Sequence, residues 1–561
     1  MKRDLDKLSS QEYDVLVVGA GAYGACAAWD ATLRGLRVAL IDKGDFGAAT
    51  SQNSQKIIHG GLRYLQQFDI ARMRESIRER RTLMKIAPQF VHPMPCVMPT
   101  YGHLAKSRMA LAIALLLNDI IGFDRNRLDD PEKYLPRGRT VSREELLGML
   151  PGVPREGLTG GAVWYDCQTH NSERLVLSFI LSACERGADA ANYLEAAEFL
   201  TEGRRVCGVR ARDAVTGKTV DIRSRLVINT AGPWIDRVLG KLPTRTSSRP
   251  LMLAASTILV TRRFIGDHAA GLSSGAVSDG EKSLGGKNTR LYFVTPWRDV
   301  CLAGTAYAPY NGDPDDYRVS ESDIDSFLSE INRAYPDARL GRGDVKFFYG
   351  GLVPMSRVSA RTGEVIVRKH YRITDHSRTD GWDGVVTVMG VKYTTARDVA
   401  ERVTNLAMKK LGTAFVRSRS SEAPIYGGEI ERFDDFLAKA VRSKPAGVTE
   451  ESMAHLVYHY GSRYGDVLAY VGKDAALGRP LPGQQRVIGA EVVRAAREET
   501  ALKLSDVIFR RTELGTAGNP GDDCLHACAE IMGAELGWSG ERKSREIKET
   551  LACYVPGHYS P

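Results

Sequence analysis

The sequence predicts an α/β fold: a Rossmann-like dinucleotide-binding domain, then a mixed β-sheet domain, then a helical domain that closes the chain. Three observations carry this. Residues 13–19 form a short valine-rich run ending in glycine, the pattern of a buried parallel strand. Residues 22–34 continue as an alanine-rich helix closed by Gly35, and 37–42 form a second buried strand, which makes a right-handed crossover unit. From about Phe433 to Ala552, after a break at Tyr426-Gly427-Gly428, the chain reads as largely helical.

Between these ends the pattern is mixed. Residues 193–226 read as strands and turns with a polar hairpin at Thr216-Gly217-Lys218, and 226–230 as a buried strand stopped by Gly232-Pro233. Residues 258–260 and 291–305 read as strands of a substrate-side sheet, and 385–389 as one more buried strand before a helix over 394–411. The expected boundaries are 12–90 and 161–250 for the nucleotide-binding domain and 91–160 for inserted interfacial helices. The mixed sheet then takes 251–365, a closing segment of the first domain 366–415, and the helical domain 425–561.

With 43% apolar and 26% charged residues, the composition is that of an ordinary soluble globular protein. The longest apolar run, 109–117, stops at Asn118-Asp119, too short to span a bilayer, and reads as a buried or interfacial helix. Residues 1–11 are charged and carry no secretory pattern, and nine cysteines occur without a CxxC pair or a histidine at ligand spacing. A cytoplasmic chain with reduced thiols and no metal is therefore expected. Part of the net charge of +9 lies at Arg72, Arg74, Arg78, Arg80, Arg81 and Lys85, among Ile70, Met73, Ile77, Leu83 and Met84. Two readings stand: a solvated helix with one core-facing side, or a basic face against anionic lipid, where each cation contributes about 1 kcal/mol. No nucleic-acid motif accompanies the charge, so nucleic acid is not an expected partner.

The strongest local signal is Gly19-Ala20-Gly21-Ala22-Tyr23-Gly24, set between the first strand and the helix. Gly19 permits the tight turn, Gly21 lets backbone approach a pyrophosphate, and Gly24 lets the helix pack on the strand. The helix N-terminus offers N–H donors to phosphate, and Asp42 ends the second strand, where it can accept from a ribose hydroxyl. FAD and NAD share this pattern. FAD is favoured because the fingerprint opens a chain with over five hundred residues still to follow, and because a second glycine-terminated strand returns at 385–390. On pattern alone that late strand is equally another sheet member.

Three longer segments carry a family likeness: residues 49–65, Ala-Thr-Ser-Gln-Asn-Ser-Gln-Lys-Ile-Ile-His-Gly-Gly-Leu-Arg-Tyr-Leu; 229–234, Asn-Thr-Ala-Gly-Pro-Trp; and 390–397, Gly-Val-Lys-Tyr-Thr-Thr-Ala-Arg. Together with His459-Tyr460-Gly461 and Phe509-Arg510-Arg511-Thr512, they resemble the flavin-linked glycerol-3-phosphate dehydrogenases over most of the chain. The resemblance implies FAD, a two-layer fold like that of the D-amino-acid oxidase superfamily, and electrons passed to membrane quinone or to oxygen. It implies that Lys43, Thr50, Ser51, Ser54, Lys56, Ile58, His59, Gly60, Ala231 and Gly232 surround the flavin, and that Gly390, Lys392, Tyr393 and Thr394 close over it. Arg63, Tyr64, Arg368, Lys392 and Thr394 would face the substrate.

These residue types suit alcohol oxidation. A histidine ordinarily titrates near neutrality, so His59 can take the hydroxyl proton, although a histidine that fixes the turn before Gly60-Gly61 is an equal reading. Lys392 offers a cation to a developing alkoxide, and Arg63 and Arg368 carry forked donors for an anion. The chain departs from the family on the substrate side. Val353 stands where most members have arginine, Ala254 and Thr257 where they have lysine and histidine, and Tyr307 where they have aspartate. Losing one bidentate contact costs a few kcal/mol, roughly a hundredfold in affinity. The leading expectation is a peripheral enzyme on the cytoplasmic face of a membrane, oxidising glycerol 3-phosphate or a related polyol phosphate with quinone as acceptor; a homodimer stays open. The alternatives are a relative with a re-cut pocket acting on another hydroxy or amino substrate, with oxygen as acceptor, and a flavin-binding protein with little turnover.

Overall fold

The computed structural model describes residues 1–101, 105–244, 250–277 and 289–558. The first sheet runs in the order Arg372–Asp375, Val385–Met389, Thr219–Asn229, Glu12–Val18, Val38–Ile41, Asp189–Ala191. All neighbours are parallel except the antiparallel edge strand Arg372–Asp375. Val15, Leu16 and Val17 are all buried, without alternation, because this sheet is covered on both faces. Helices Ala22–Leu33, Ser172–Glu185 and Ala396–Leu411 share one apolar core on one face. On the other face, Leu16, Val18 and Ile41 pack against the antiparallel strands Leu194–Glu202 and Arg205–Asp213.

The second sheet is mixed and reaches further back along the chain than residues 251–365. Ile57–Ile58, Leu158–Thr169 and Val91–Tyr101 join it ahead of Ala269–Val277, Thr289–Trp297, Val300–Tyr310, Leu253–Arg262, Val345–Val358 and Val365–Val367. Val91–Tyr101 therefore lies in the sheet and not among inserted helices. Its three prolines, at 93, 95 and 99, hide a strand in the sequence. All sit at odd positions, so the N–H groups they lack lie on one side of the strand, and the pairing with Leu158–Thr169 continues past them.

The basic helix, Ile70–Ile86, turns Met73, Ile77, Leu83 and Met84 to the core, as the first reading expects, and pairs its arginines with carboxylates. Arg74 and Arg81 pair with Asp124, Arg80 with Asp166, Arg78 with Asp398 and Arg72 with Asp69. Each of these arginines meets a carboxylate of the protein; Arg80 is buried, the others are partly exposed, and Lys85 stays exposed. The unusual surface belongs instead to the next helix, Ala105–Ile121. It buries Leu111 and Leu115 but leaves Met109, Ile113, Leu116 and Ile120 more than half exposed, with Phe68 and Phe123 exposed as well. No helix among the described residues is long and apolar enough to cross a membrane.

The helical region includes Phe433–Arg442, Glu450–Tyr460, Tyr464–Lys473, Gly489–Glu498, Asp522–Leu536 and Gly540–Ala552. It shares a core with the mixed sheet, in which Leu504, Ile508 and Phe509 join Trp297, Phe347 and Tyr349. A buried ionic junction ties it to the first domain. Arg510 and Arg511, in the π-helical turn Val507–Arg511, both donate to Asp45, and Arg510 also reaches Gln52 (3.0 Å) and Asp506 (2.8 Å).

Candidate active site

The crossover unit sets one end of a cavity of about 450 Å³. Gly19 has φ +99°, and a Cβ there would lie 2.7 Å from the Ala231 backbone; a Cβ on Gly24 would meet the Gly19 carbonyl at 1.9 Å. These two glycines are required by the fold itself. Gly21 opens on the cavity near Ser51, whose Oγ accepts from the Ala22 N–H at 2.9 Å. Asp42 accepts from the N–H groups of Ala20 (2.6 Å) and Gly44 (2.9 Å), and burial pushes it up to about 6. The carboxylate thus braces the fingerprint turn and keeps lone pairs for a hydroxyl.

The other end is built from three distant segments. The Tyr23 hydroxyl accepts from the N–H groups of Val391 (3.1 Å) and Lys392 (3.0 Å) and donates to the Lys392 carbonyl (2.8 Å). Gly390 is needed there, since a Cβ would sit 2.2 Å from the Tyr23 ring. Lys392 Nζ donates to Ser76 Oγ at 2.7 Å and lies 4.9 Å from the centre of the Tyr64 ring; burial lowers its pKa. The His59 N–H points to Thr394 Oγ1 at 3.3 Å, and His59 Nδ1 is 3.3 Å from Asp166 Oδ2. Burial alone would raise Asp166. The His59 ring, the Arg80 guanidinium (2.7 Å) and the Gly60 N–H (2.5 Å) outweigh it and hold the carboxyl well below its usual range. An ionised carboxylate only accepts, so Nδ1 carries a proton, and in the neutral ring Nε2 keeps its lone pair.

Of the cofactor-side residues named from sequence, Gly19, Gly21, Ala22, Tyr23, Asp42, Lys43, Thr50, Ser51, Ser54, Lys56, Ile58, His59, Ala231, Gly232, Gly390, Lys392, Tyr393 and Thr394 line the cavity. Gly24 and Gly60 are not in the lining. Two lysines are engaged elsewhere. The Lys56 ammonium is buried on Glu173 (2.7 and 2.9 Å), because a charge taken out of water needs a partner. Lys43 pairs with Asp315 and stacks on Trp234. The Arg63 side chain lies outside the described residues. Arg368 is not part of the lining; its backbone N–H bonds to the Pro354 carbonyl, and its Nε is buried without a hydrogen-bond partner among the described residues. Sequence reasoning missed Asp166 and Ser76. Nothing local marks them, since Asp166 lies 107 residues from His59 and Ser76 lies 316 from Lys392.

Three of the four substrate-side departures, Ala254, Val353 and Tyr307, lie on one face of the mixed sheet, and Thr257 lies on the other. Ala254 pairs directly with Val353 across two strands of the mixed sheet, and Ser256, two residues on, pairs with both Gly351 and Tyr307. Paired residues share a face, and Ser256, Tyr307, Gly351 and Val353 all line the cavity. The lysine and the arginine that the resemblance implies at 254 and 353 would thus stand side by side, where this chain has Ala254 and Val353.

The family model of the FAD-dependent oxidoreductases matches residues 14–397, more than half of the chain, and that of the C-terminal domain of alpha-glycerophosphate oxidase matches 418–543. The chain belongs to the FAD-dependent oxidoreductases. FAD is therefore its cofactor, and the chain is an enzyme of oxidation and reduction. This oxidoreductase is 32% identical to a glycerol-3-phosphate dehydrogenase of Synechocystis over 98% of its own length and 97% of that protein's. It is 31% identical to the human mitochondrial glycerol-3-phosphate dehydrogenase, over 96% and 73%. A solved structure of the Bacillus halodurans glycerol-3-phosphate dehydrogenase, complexed with FAD, shares its fold with a TM-score of 0.74 at 24% identity, covering 98% of this chain and 96% of that one. The residues fit the cofactor. The cavity joins the glycine fingerprint to the Gly390 turn, and Gly21 and Gly390 keep side-chain bulk out at its two ends.

Proposed function

We propose that this oxidoreductase converts the secondary alcohol of glycerol 3-phosphate, or of a related polyol phosphate, to a carbonyl and passes the electrons to a membrane quinone. The observation that carries the reading is the meeting of His59, backed by anionic Asp166, with Lys392 at the closing end of the cavity. When bound, FAD supplies an acceptor for the hydride from the substrate carbon. His59 Nε2 takes the hydroxyl proton, and Asp166 holds the ring in the tautomer that can do so. Lys392 stabilises the oxygen as its charge grows, and its burial keeps water from screening that interaction. The fingerprint residues and Asp42 hold the dinucleotide, with Thr50, Ser51, Ser54 and Tyr393 along its length. Tyr64 faces the substrate beside Lys392, and the exposed apolar face of Ala105–Ile121 lies against the lipid that contains the quinone.

The Ala254–Val353 pair favours a second reading, a substrate whose far end carries no phosphate. Anaerobic mixing of the purified yellow protein with glycerol 3-phosphate separates the two. Bleaching of the flavin absorption supports the first reading. No bleaching, in protein whose FAD still responds to dithionite, rejects it in favour of another hydroxy or amino substrate.

A further inference from the structure

Away from the cofactor cavity, three potential ligands converge at the seam between the helical region and the mixed sheet. His170 follows the strand Leu158–Thr169, His459 lies on the helix Glu450–Tyr460, and Glu513 comes just after the turn Val507–Arg511. Both imidazoles direct Nε2 at the same carboxylate oxygen, His459 at 3.1 Å and His170 at 3.6 Å. One ligand atom from each residue lies within 4.8 Å of the other two. A tetrahedral ion with bonds of about 2.0–2.1 Å spaces its ligand atoms by roughly 3.3–3.4 Å, and the two observed distances bracket that edge.

We propose that His170, His459 and Glu513 form a binding site for a first-row divalent metal ion of the zinc type, separate from the reaction cavity. His459 is fully buried, and its Nδ1 has no hydrogen-bond partner among the described residues. If Nε2 carries the proton, Nδ1 is a bare buried acceptor; if Nδ1 carries it, two lone pairs face each other across 3.1 Å. A cation at Nε2 turns that second repulsion into ligation. Arg298 Nη2 bonds to the same Glu513 oxygen at 2.9 Å, the kind of outer-shell contact that orients a ligating carboxylate. His455 and Arg486 approach the other oxygen at 3.5 and 3.7 Å. Two imidazole nitrogens and one carboxylate suit zinc-type ions over calcium or magnesium, which take oxygen ligands. The His170 side chain is 20% exposed, which leaves a path for the ion and room for water as a fourth ligand. The two histidines lie far apart in the sequence, so no ligand spacing announces the site.

The test uses the full-length holoprotein, stripped with a chelator, dialysed, and titrated with Zn²⁺ and with Co²⁺. The expected result is saturable uptake of a single equivalent with micromolar or tighter affinity. Co²⁺ should add visible bands to the red of the flavin, and Zn²⁺ should raise Tm by several degrees. His170→Gln, a change at the partly exposed ligand, should weaken uptake at least tenfold and leave FAD content and metal-free Tm unchanged; His459→Gln should abolish it. Absence of saturable uptake by the wild-type protein, or undiminished uptake by folded His170→Gln, overturns the site and reduces the cluster to a proton-bridged network.

Discussion

Asp166 is a buried carboxylate. The His59 ring, the Arg80 guanidinium and the Gly60 N–H fix it as an anion beneath the imidazole. Asp166→Asn keeps the shape but offers a donor where an acceptor is required, so the ring loses the tautomer that bares Nε2. Flavin reduction by substrate, followed anaerobically in a stopped-flow instrument, should slow by about a hundredfold or more while FAD content holds; an unchanged rate would take the pair out of the reaction. Glu75 answers a different question. Burial, and after it the Asp398 carboxylate, push it up to about 7 from an ordinary 4.5. Its folded-state value lies above its unfolded one, so its favourable contribution is complete below pH 4.5 and is lost as pH rises through 7. Glu75→Gln should therefore lose less Tm than wild type between about pH 5 and pH 8, and parallel Tm curves would refute that environment.

The helix Ala105–Ile121 and the turn Val507–Arg511 carry opposite kinds of exposure. The first leaves large apolar side chains in water, a surface that soluble chains rarely keep without a partner. Ile113→Glu with Leu116→Glu should abolish cosedimentation with anionic vesicles and leave reduction by substrate intact; retained cosedimentation would move the contact elsewhere. The second buries two guanidiniums against Asp45 and Asp506. Asp45→Asn takes the carboxylate from Arg511 and one of two from Arg510, and should cost about 3–5 kcal/mol, read as a lower urea midpoint. How far the sequence announces such features depends on range. The fingerprint is legible because turn, helix and acid all lie between Gly19 and Asp42 and each needs a particular residue type. The proline-bearing strand Val91–Tyr101 is not, because residue types hide what parity permits. The ion pairs of Ile70–Ile86 are hidden for another reason: their partners at Asp124, Asp166 and Asp398 lie far along the chain.

Across the whole molecule, the loop at one end of the cofactor site depends on the far end of the chain. Asp45 and Gln52 flank the loop that carries Thr50 and Ser51, and both are held by Arg510. A chain ended at residue 415 lacks those arginines and should be recovered colourless; a soluble yellow product would show the helical region dispensable for holding FAD. The clasp at Tyr23 has a consequence for biosynthesis. Its hydroxyl bridges backbone 369 residues away, and the strand beside Glu12–Val18 is not complete until residue 229. While the ribosome is still translating the middle of the message, the nascent fingerprint has no wall to close against and no turn to clasp. Flavin capture therefore belongs after Arg511 has left the exit tunnel, and until residue 229 is out the cell must shelter an amino-terminal strand with an unpaired edge.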